Sequence, residues 1–465
     1  MKLKPIVLAI AALSAGVANA AYTDTATNLY MTGASASRNN VAVSIKKLCS
    51  DAAGSLTVFK NGSSTSSLAN QMAYVCSAPM AGTGITTVIH TVTGGSLNSI
   101  LGMSNDTAEQ QVPVSLTAGC TAPVAGSGAL AGYTVSANCA LEASAAPSDG
   151  GLSDLEYGPV SELVTGLSAG VDGFALGDVA QGFTSIAQAF GVGVSEKMYK
   201  DLQTAQGLIA AGCTSGDPLP ACQPSLSRAD IASLININGF PAQKNGAEAL
   251  SLTAGASIEY ARRVSTSGTQ GTAQVYFLGQ GCLNGPNAGQ FTIAGGNTET
   301  TGTGFTLPGA TKYTYSVNSG TGDVINRLTA AGATAYAFGL VSAENRAPTT
   351  TTGWKFVKLN GVAISDGTST GLNKQNAIDG KYDDFVETVS YKGPSAKTDA
   401  NEGALIDAIT TKMATVVADG GPTTVGLFII PENAGFYTHA AYPTEVSLHQ
   451  RGGSTPNSCQ PLTTP

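Results

Sequence analysis

The 465-residue chain carries 23 basic against 31 acidic side chains, a formal net charge of −8, and only 12% of its residues are charged. That balance argues against a nucleic acid partner, because duplex binding needs clustered basic side chains to displace counterions. The length allows two or three domains, with ample chain for a large core.

The first twenty residues, MKLKPIVLAIAALSAGVANA, combine Lys2 and Lys4 with an apolar stretch from Ile6 to about Leu13 and end on Ala18-Asn19-Ala20. This is the pattern of a secretory signal with its cleavage site, so residues 1–20 are expected to be removed and the mature chain to begin at Ala21. Losing the two lysines makes the mature chain more acidic still. The apolar part is shorter than the roughly 20 residues a membrane span needs, and no later segment qualifies. A periplasmic or extracellular product without a transmembrane segment is expected.

Beyond the signal, short β-rich runs alternate with helical patterns, which favours an α/β fold over an all-β sandwich. The turn Gly33-Ala34-Ser35-Ala36-Ser37 precedes Val41, Ile45 and Leu48 at helical spacing. Within that helix Ser44-x-x-Lys47 matches a hydrolase nucleophile pattern, but no K-T-G accompanies it. A second glycine-and-hydroxyl turn, Gly94-Gly95-Ser96, precedes Leu97, Ile100 and Leu101, and "NGSS" at 61–64 is a rival for its role. Residues 103–148 and 284–316 are rich in glycine and hydroxyls and are expected to be surface insertions. "GGLSDLE" supplies Ser153 and Asp154, with an exposed turn or helix cap as the plain alternative for the aspartate. Ser227 is a candidate N-cap with Asp230 three residues on, and Leu226 and Ile231 form a hydrophobic staple.

In "RRVSTSGTQGT", residues 262–272, paired arginines precede a hydroxyl-glycine run. The first N–H groups of a helix lack intrahelical partners and sit at the positive end of its dipole, so Gly and Ser there suit a tetrahedral anion. One arginine supplies a permanently charged bidentate clamp. The bland alternative is a capping box from Ser267 to Gln270, with both arginines in solvent.

Eight cysteines, an even number in an exported chain, suggest disulfides. Sequence does not fix the pairing, but neighbours suggest Cys49 with Cys76, Cys120 with Cys139 and Cys213 with Cys222, which leaves Cys282 with Cys459. His90, His439 and His449 lie near no cysteine and no metal-ligand spacing occurs, so neither metal nor other cofactor is expected. No G-x-S-x-G elbow or phosphate-binding P-loop is present, and the chain is not expected to be an enzyme.

Taken in order, these motifs resemble the phosphate-binding proteins of ABC transporters, members of the type II periplasmic binding fold. That family reads a Gly-Ala-x-Ala-Thr turn near the mature N-terminus, a Gly-Ser turn before a helix, a Ser-Asp pair and an Arg-x-x-x-Ser-Gly-Thr segment. Here they stand as Gly33 to Ser37, Gly95-Ser96, Ser153-Asp154 and Arg263 followed by Ser267-Gly268-Thr269. Ser37 replaces the usual threonine and Arg38 the usual phenylalanine, and the 103–148 insertion separates Ser96 from Asp154 more than is usual. "GFTSIAQAFGVGVS" resembles the crossing into a second lobe, and "AAGATAYAFGLVS" the return strand.

The resemblance implies a two-lobed α/β clamp with the ligand in a cleft between lobes. Residues 21–183 and 345–465 would form lobe I, and residues 184–344 lobe II, with closure by lobe rotation. It implies that Arg263 neutralises inorganic phosphate or a similar oxyanion. Ser267, Gly268 and Thr269 would donate from one lobe, and Ser37, Arg38 and Ser96 from the other. Asp154 would accept a hydrogen bond from protonated phosphate, which sulfate cannot offer. An ABC permease is the implied partner. The competing class is an extracellular or cell-surface structural or interaction protein that keeps the fold without transport.

Overall fold

The computed structural model describes residues 28–101, 119–140, 145–163, 179–236, 246–282, 301–306, 312–364, 373–394, 399–419, 425–430 and 457–463, with a few single positions between them. The expected signal segment lies outside the described residues, as do parts of both expected insertions.

A large mixed sheet runs through the α/β fold. Its strands are β1 (Asn28–Gly33), β2 (Leu56–Lys60), β3 (Gln71–Cys76), β4 (Thr87–Thr91), β5 (Val124–Ala125), β6 (Thr134–Ser136) and β7 (Gly150–Ser153). They continue with β8 (Ala180–Val194), β9 (Ile258–Arg263), β10 (Gly302–Thr306), β11 (Tyr313–Asn318), β12 (Tyr336–Ser342) and β13 (Phe385–Lys392). The order across the sheet is β10-β11-β9-β12-β8-β13-β7-β1-β4-β3-β2-β6-β5. β1 pairs in parallel with β4 and β7, and β9 with β11 and β12. Parallel strands are covered on both faces, so β7 and β12 are buried at every residue and their letters show no period of two.

Helix α1 (Arg38–Asp51) packs on α8 (Ala400–Asp419), and Val41, Ile45, Leu48, Leu405, Ile409 and Met413 share a core with Leu29 and Met31 of β1. A second core gathers Met198 and Leu202 of α4 (Glu196–Ala205), Ile231 and Leu234 of α5 (Arg228–Ile235), Tyr260 of β9 and Phe338 of β12. α5 starts as its sequence predicts: the Ser227 N–H donates to Asp230 Oδ2 at 2.8 Å and the Asp230 N–H to Ser227 Oγ at 3.0 Å. A third core joins the two. It contains Leu97 and Ile100 at α2 (Asn98–Leu101), Leu155 and Val160 at α3 (Tyr157–Leu163), and Val275 of α6 (Gly268–Leu278).

The crossing segment is one long strand. β8 pairs with β13 over Ala180–Ala189 and with β12 over Phe190–Val194, with a register shift between Phe183 and Ala187. Trp354, Phe356, Leu359, Tyr382 and Phe385 pack in the second core. The 284–316 insertion is too long as read, because Tyr313 to Ser316 open β11 beside β9, with Tyr313 and Ser316 buried. Hydroxyls hid it: in "YTYSVN" the aromatics alternate with polar letters that read as loop. From the 103–148 insertion, β5 and β6 extend the sheet edge beside β2.

The four disulfides are Cys49–Cys76, Cys120–Cys139, Cys213–Cys222 and Cys282–Cys459, the pairs expected from the sequence. Among the described residues no helix is long and apolar enough to cross a membrane.

Candidate functional site

The site grows from the loop between β9 and α6. Ser267 stands at the N-cap of α6 with no side-chain bond to its own helix, and the Gly271 N–H donates to the Ser267 carbonyl at 2.9 Å. The capping-box alternative does not form. Gln270 turns its Oε1 to the Arg263 N–H at 3.1 Å and the Tyr260 hydroxyl at 3.4 Å. Nor do the arginines face solvent: Arg262 is 1% exposed and Arg263 4%, because β9 is covered on both faces. Arg262, read as a solvated neighbour, donates from Nε to the Arg263 carbonyl at 3.0 Å. Gly268, Thr269 and Gln270 are buried, so the donor end of this helix is withdrawn from bulk water.

The 94–96 turn meets this loop directly. The Leu97 N–H donates to the Thr266 carbonyl at 3.0 Å. Gly95 has φ +92°, and a Cβ there would lie 2.8 Å from Ser267 Cα, so both conformation and space demand glycine. Ser96 Oγ donates to Asp154 Oδ2 at 2.5 Å. Asp154 is 3% exposed, which removes the exposed-turn alternative. The "NGSS" turn is exposed and its Ser64 carbonyl accepts from Lys60 Nζ at 2.6 Å.

Gly268 closes the arrangement. A Cβ on it would lie 2.1 Å from Asp154 Oδ2 and 2.4 Å from Ser96 Oγ. Gly268→Ala is therefore expected to destabilise the fold by about 1–3 kcal/mol through overpacking. In urea unfolding the midpoint should fall with the slope unchanged; an unmoved midpoint would show that the contact is looser than described.

Ser37 and Arg38 come from the opposite side. The Ala34 N–H donates to the Leu152 carbonyl at 2.8 Å, which sets the 33–38 turn beside the strand leading to Asp154. Ser37 Oγ donates back to the Ala34 carbonyl at 3.1 Å, so its hydroxyl serves its own turn. Arg38 Nη1 donates to Asn70 Oδ1 at 3.0 Å and the Ala69 carbonyl at 3.3 Å. Arg263 Nη1 donates to Thr321 Oγ1 at 2.8 Å and Nη2 to the Ser319 carbonyl at 2.9 Å. The Nε atoms of both arginines are buried without a hydrogen-bond partner among the described residues.

One charged residue escaped the sequence reading. Glu344, two residues past β12, interacts electrostatically with Arg38, Arg263 and Asp154. Its only sequence signal is a carboxylate straight after the apolar run "AYAFGLVSA". Burial pushes Asp154 up to about 6, opposed by the Ser96 hydrogen bond and aided by Glu344. Burial likewise raises Glu344 and lowers Arg263 to about 10.

The Ser44-x-x-Lys47 pair is not an activated nucleophile, since that needs nucleophile and base in contact. Ser44 Oγ is buried and donates to the Asn40 carbonyl at 2.8 Å, while Lys47 pairs with Asp419. Among the described residues no group of three His, Cys, Asp or Glu is placed to hold a metal ion.

No family model matches the chain, and no curated protein matches it. Several solved structures are similar. One is described as a phosphate ABC transporter substrate-binding protein from Clostridium perfringens with bound phosphate; it is 9% identical, the match covers 84% of this chain and 97% of that one, and the TM-score is 0.40. An ABC-type phosphate transport receptor from Vibrio cholerae is 9% identical over 85% of this chain and 98% of that one, with a TM-score of 0.38. PstS from Borrelia burgdorferi is 10% identical over 84% and 95%, with a TM-score of 0.35. At these scores the likeness says nothing about the chemistry of the site.

Proposed function

We propose that this protein is an exported solute-binding protein that takes phosphate, or a tetrahedral oxyanion of the same protonation, where α6 meets the 94–96 turn and Asp154, and that it serves ABC-type uptake. The observation that carries the reading is the meeting of Ser96 and Asp154 with the buried start of α6, beside an arginine 4% exposed. Sequence places these groups far apart, and a chain gains no stability by gathering buried charge unless it is compensated. A phosphate would compensate it. Helix N–H groups and the free Nε atoms would donate to its bare oxygens, and Asp154 would accept from its hydroxyl. Thr269 adds a buried side chain on the first turn. The four disulfides suit an oxidising compartment.

Calorimetry of the purified protein tests this. Phosphate and arsenate are expected to bind one per chain, and sulfate roughly 10⁴-fold more weakly, because a site built to accept from a ligand hydroxyl rejects the analogue without one. Equal affinity for sulfate, or no heat with any of the three, would sink the proposal. Uptake is tested separately by growth on limiting phosphate after deletion of the gene; unimpaired growth would argue against that role.

A further inference from the structure

We infer that Glu344 is a second proton acceptor in this site and makes it selective for a doubly protonated monoanion, H₂PO₄⁻ over HPO₄²⁻. The inference rests on the oxyanion reading above and names the form of ligand that the site takes.

The placement of Glu344 follows from the sheet. β12 runs parallel to β9, with Ile258 opposite Tyr336 and Tyr260 opposite Phe338, so both strands end at the same edge. Arg263 closes β9 there, and Glu344 follows β12 there. The backbone around Glu344 is pinned: the Ala343 N–H donates to the Ala189 carbonyl at 2.9 Å, Asn373 Nδ2 to the Ala343 carbonyl at 3.0 Å, and the Asn345 N–H to the Ser342 carbonyl at 3.1 Å. Ser342 Oγ donates to Glu344 Oε1 at 2.8 Å, while Oε2 is buried with no partner among the described residues.

Glu344 interacts electrostatically with Arg38, Arg263 and Asp154, yet neither arginine closes an ion pair with Glu344 or Asp154 among the described residues. A buried acceptor left without a donor is costly, and more so when charged. A guest that satisfies all four needs two hydroxyls for the carboxylates and two bare oxygens for the guanidinium groups. H₂PO₄⁻ has that set. HPO₄²⁻ has one hydroxyl and would point a charged oxygen at Glu344 or Asp154, and sulfate has none. The other charged group on Arg263 is Asp323, whose Oδ2 is already taken by Ser319 Oγ at 2.7 Å and the Gly320 N–H at 2.9 Å. Tyr74 and His90, which also face Arg38, are kept neutral by burial, and Lys60, a further cation facing Arg38, is lowered by burial and by that arginine.

The test is phosphate calorimetry from about pH 6.5 to about pH 8.5 on the wild type and Glu344→Gln. Wild-type affinity for total phosphate is expected to fall about tenfold per pH unit above the second ionisation of phosphate, near neutrality. Glu344→Gln, whose amide donates to a bare oxygen, is expected to flatten that fall and to bind at the alkaline end more tightly than the wild type. A flat wild-type profile overturns the inference whether or not the variant folds, and so does a variant that keeps the wild-type slope; both leave the oxyanion site standing. Absence of phosphate binding by the wild type at every pH removes the site itself.

Discussion

Arg263→Gln is expected to weaken phosphate binding by about 2–5 kcal/mol, roughly thirtyfold to several-thousandfold, because it deletes a desolvated charge that the ligand would meet directly. The same change should cost stability. Arg263 is anchored through Thr321 and Ser319, and its guanidinium faces Glu344, Asp323 and Asp154. Without it Thr321 and Ser319 lose a buried donor and Glu344 and Asp154 lose a compensating charge, so the urea midpoint should fall. Calorimetry and denaturant unfolding on the same preparation separate the two effects. Arg263→Lys keeps the charge and loses the planar fork, so it should stay folded and still bind more weakly. Unchanged phosphate affinity in both variants would place the anion elsewhere.

Asp154→Asn should act in opposite directions on stability and on binding. The folded carboxyl titrates near 6 rather than at its ordinary 3.8, chiefly through burial. The folded state therefore holds its proton more tightly than the unfolded chain does. Its contribution to stability is complete below about pH 4 and is lost as pH rises through about 6, up to about 3 kcal/mol. Asparagine removes this dependence, so at pH 7 the variant should be the more stable protein, and near pH 4 the two should converge. Binding should move the other way for phosphate, because an amide cannot accept as a carboxylate does. Sulfate, relieved of repulsion, should bind the variant better than it binds the wild type. Urea unfolding at both pH values and paired titrations with the two anions check this; a variant less stable at neutral pH, or one with unchanged anion preference, would count against the assigned role.

What could be read from letters alone was local. Val41, Ile45 and Leu48 announce α1 by spacing, and Ser227 with Asp230 announces α5 by a cap that forms within one turn. Three of the cysteine pairs followed from nearness along the chain, and Cys282–Cys459 was what they left over. Burial on two faces was not legible. β9 carries two arginines into the interior because strands flank it on both sides, and nothing in "IEYARR" says so. Asp154 looked like a surface turn because its cover, α6, lies a hundred residues on in sequence. Glu344 gave no motif at all, since its neighbours are brought to it by strand order. The packing of Trp354, Phe356 and Tyr382 in the second core was hidden for a like reason, since it shows only once their contacts are known.

The apolar seam beneath α6 bears on how the proposed oxyanion would come and go. Swinging α6 away from the 94–96 turn would bare Leu97, Leu155, Val160 and Val275 at about 25 cal/mol for each Å² wetted, and would sever the amide link from Leu97 to Thr266. Under the proposed function, exchange would then fall to small local yielding around half-buried Arg38, and the site would work less as a hinged jaw than as a rigid socket with slow turnover.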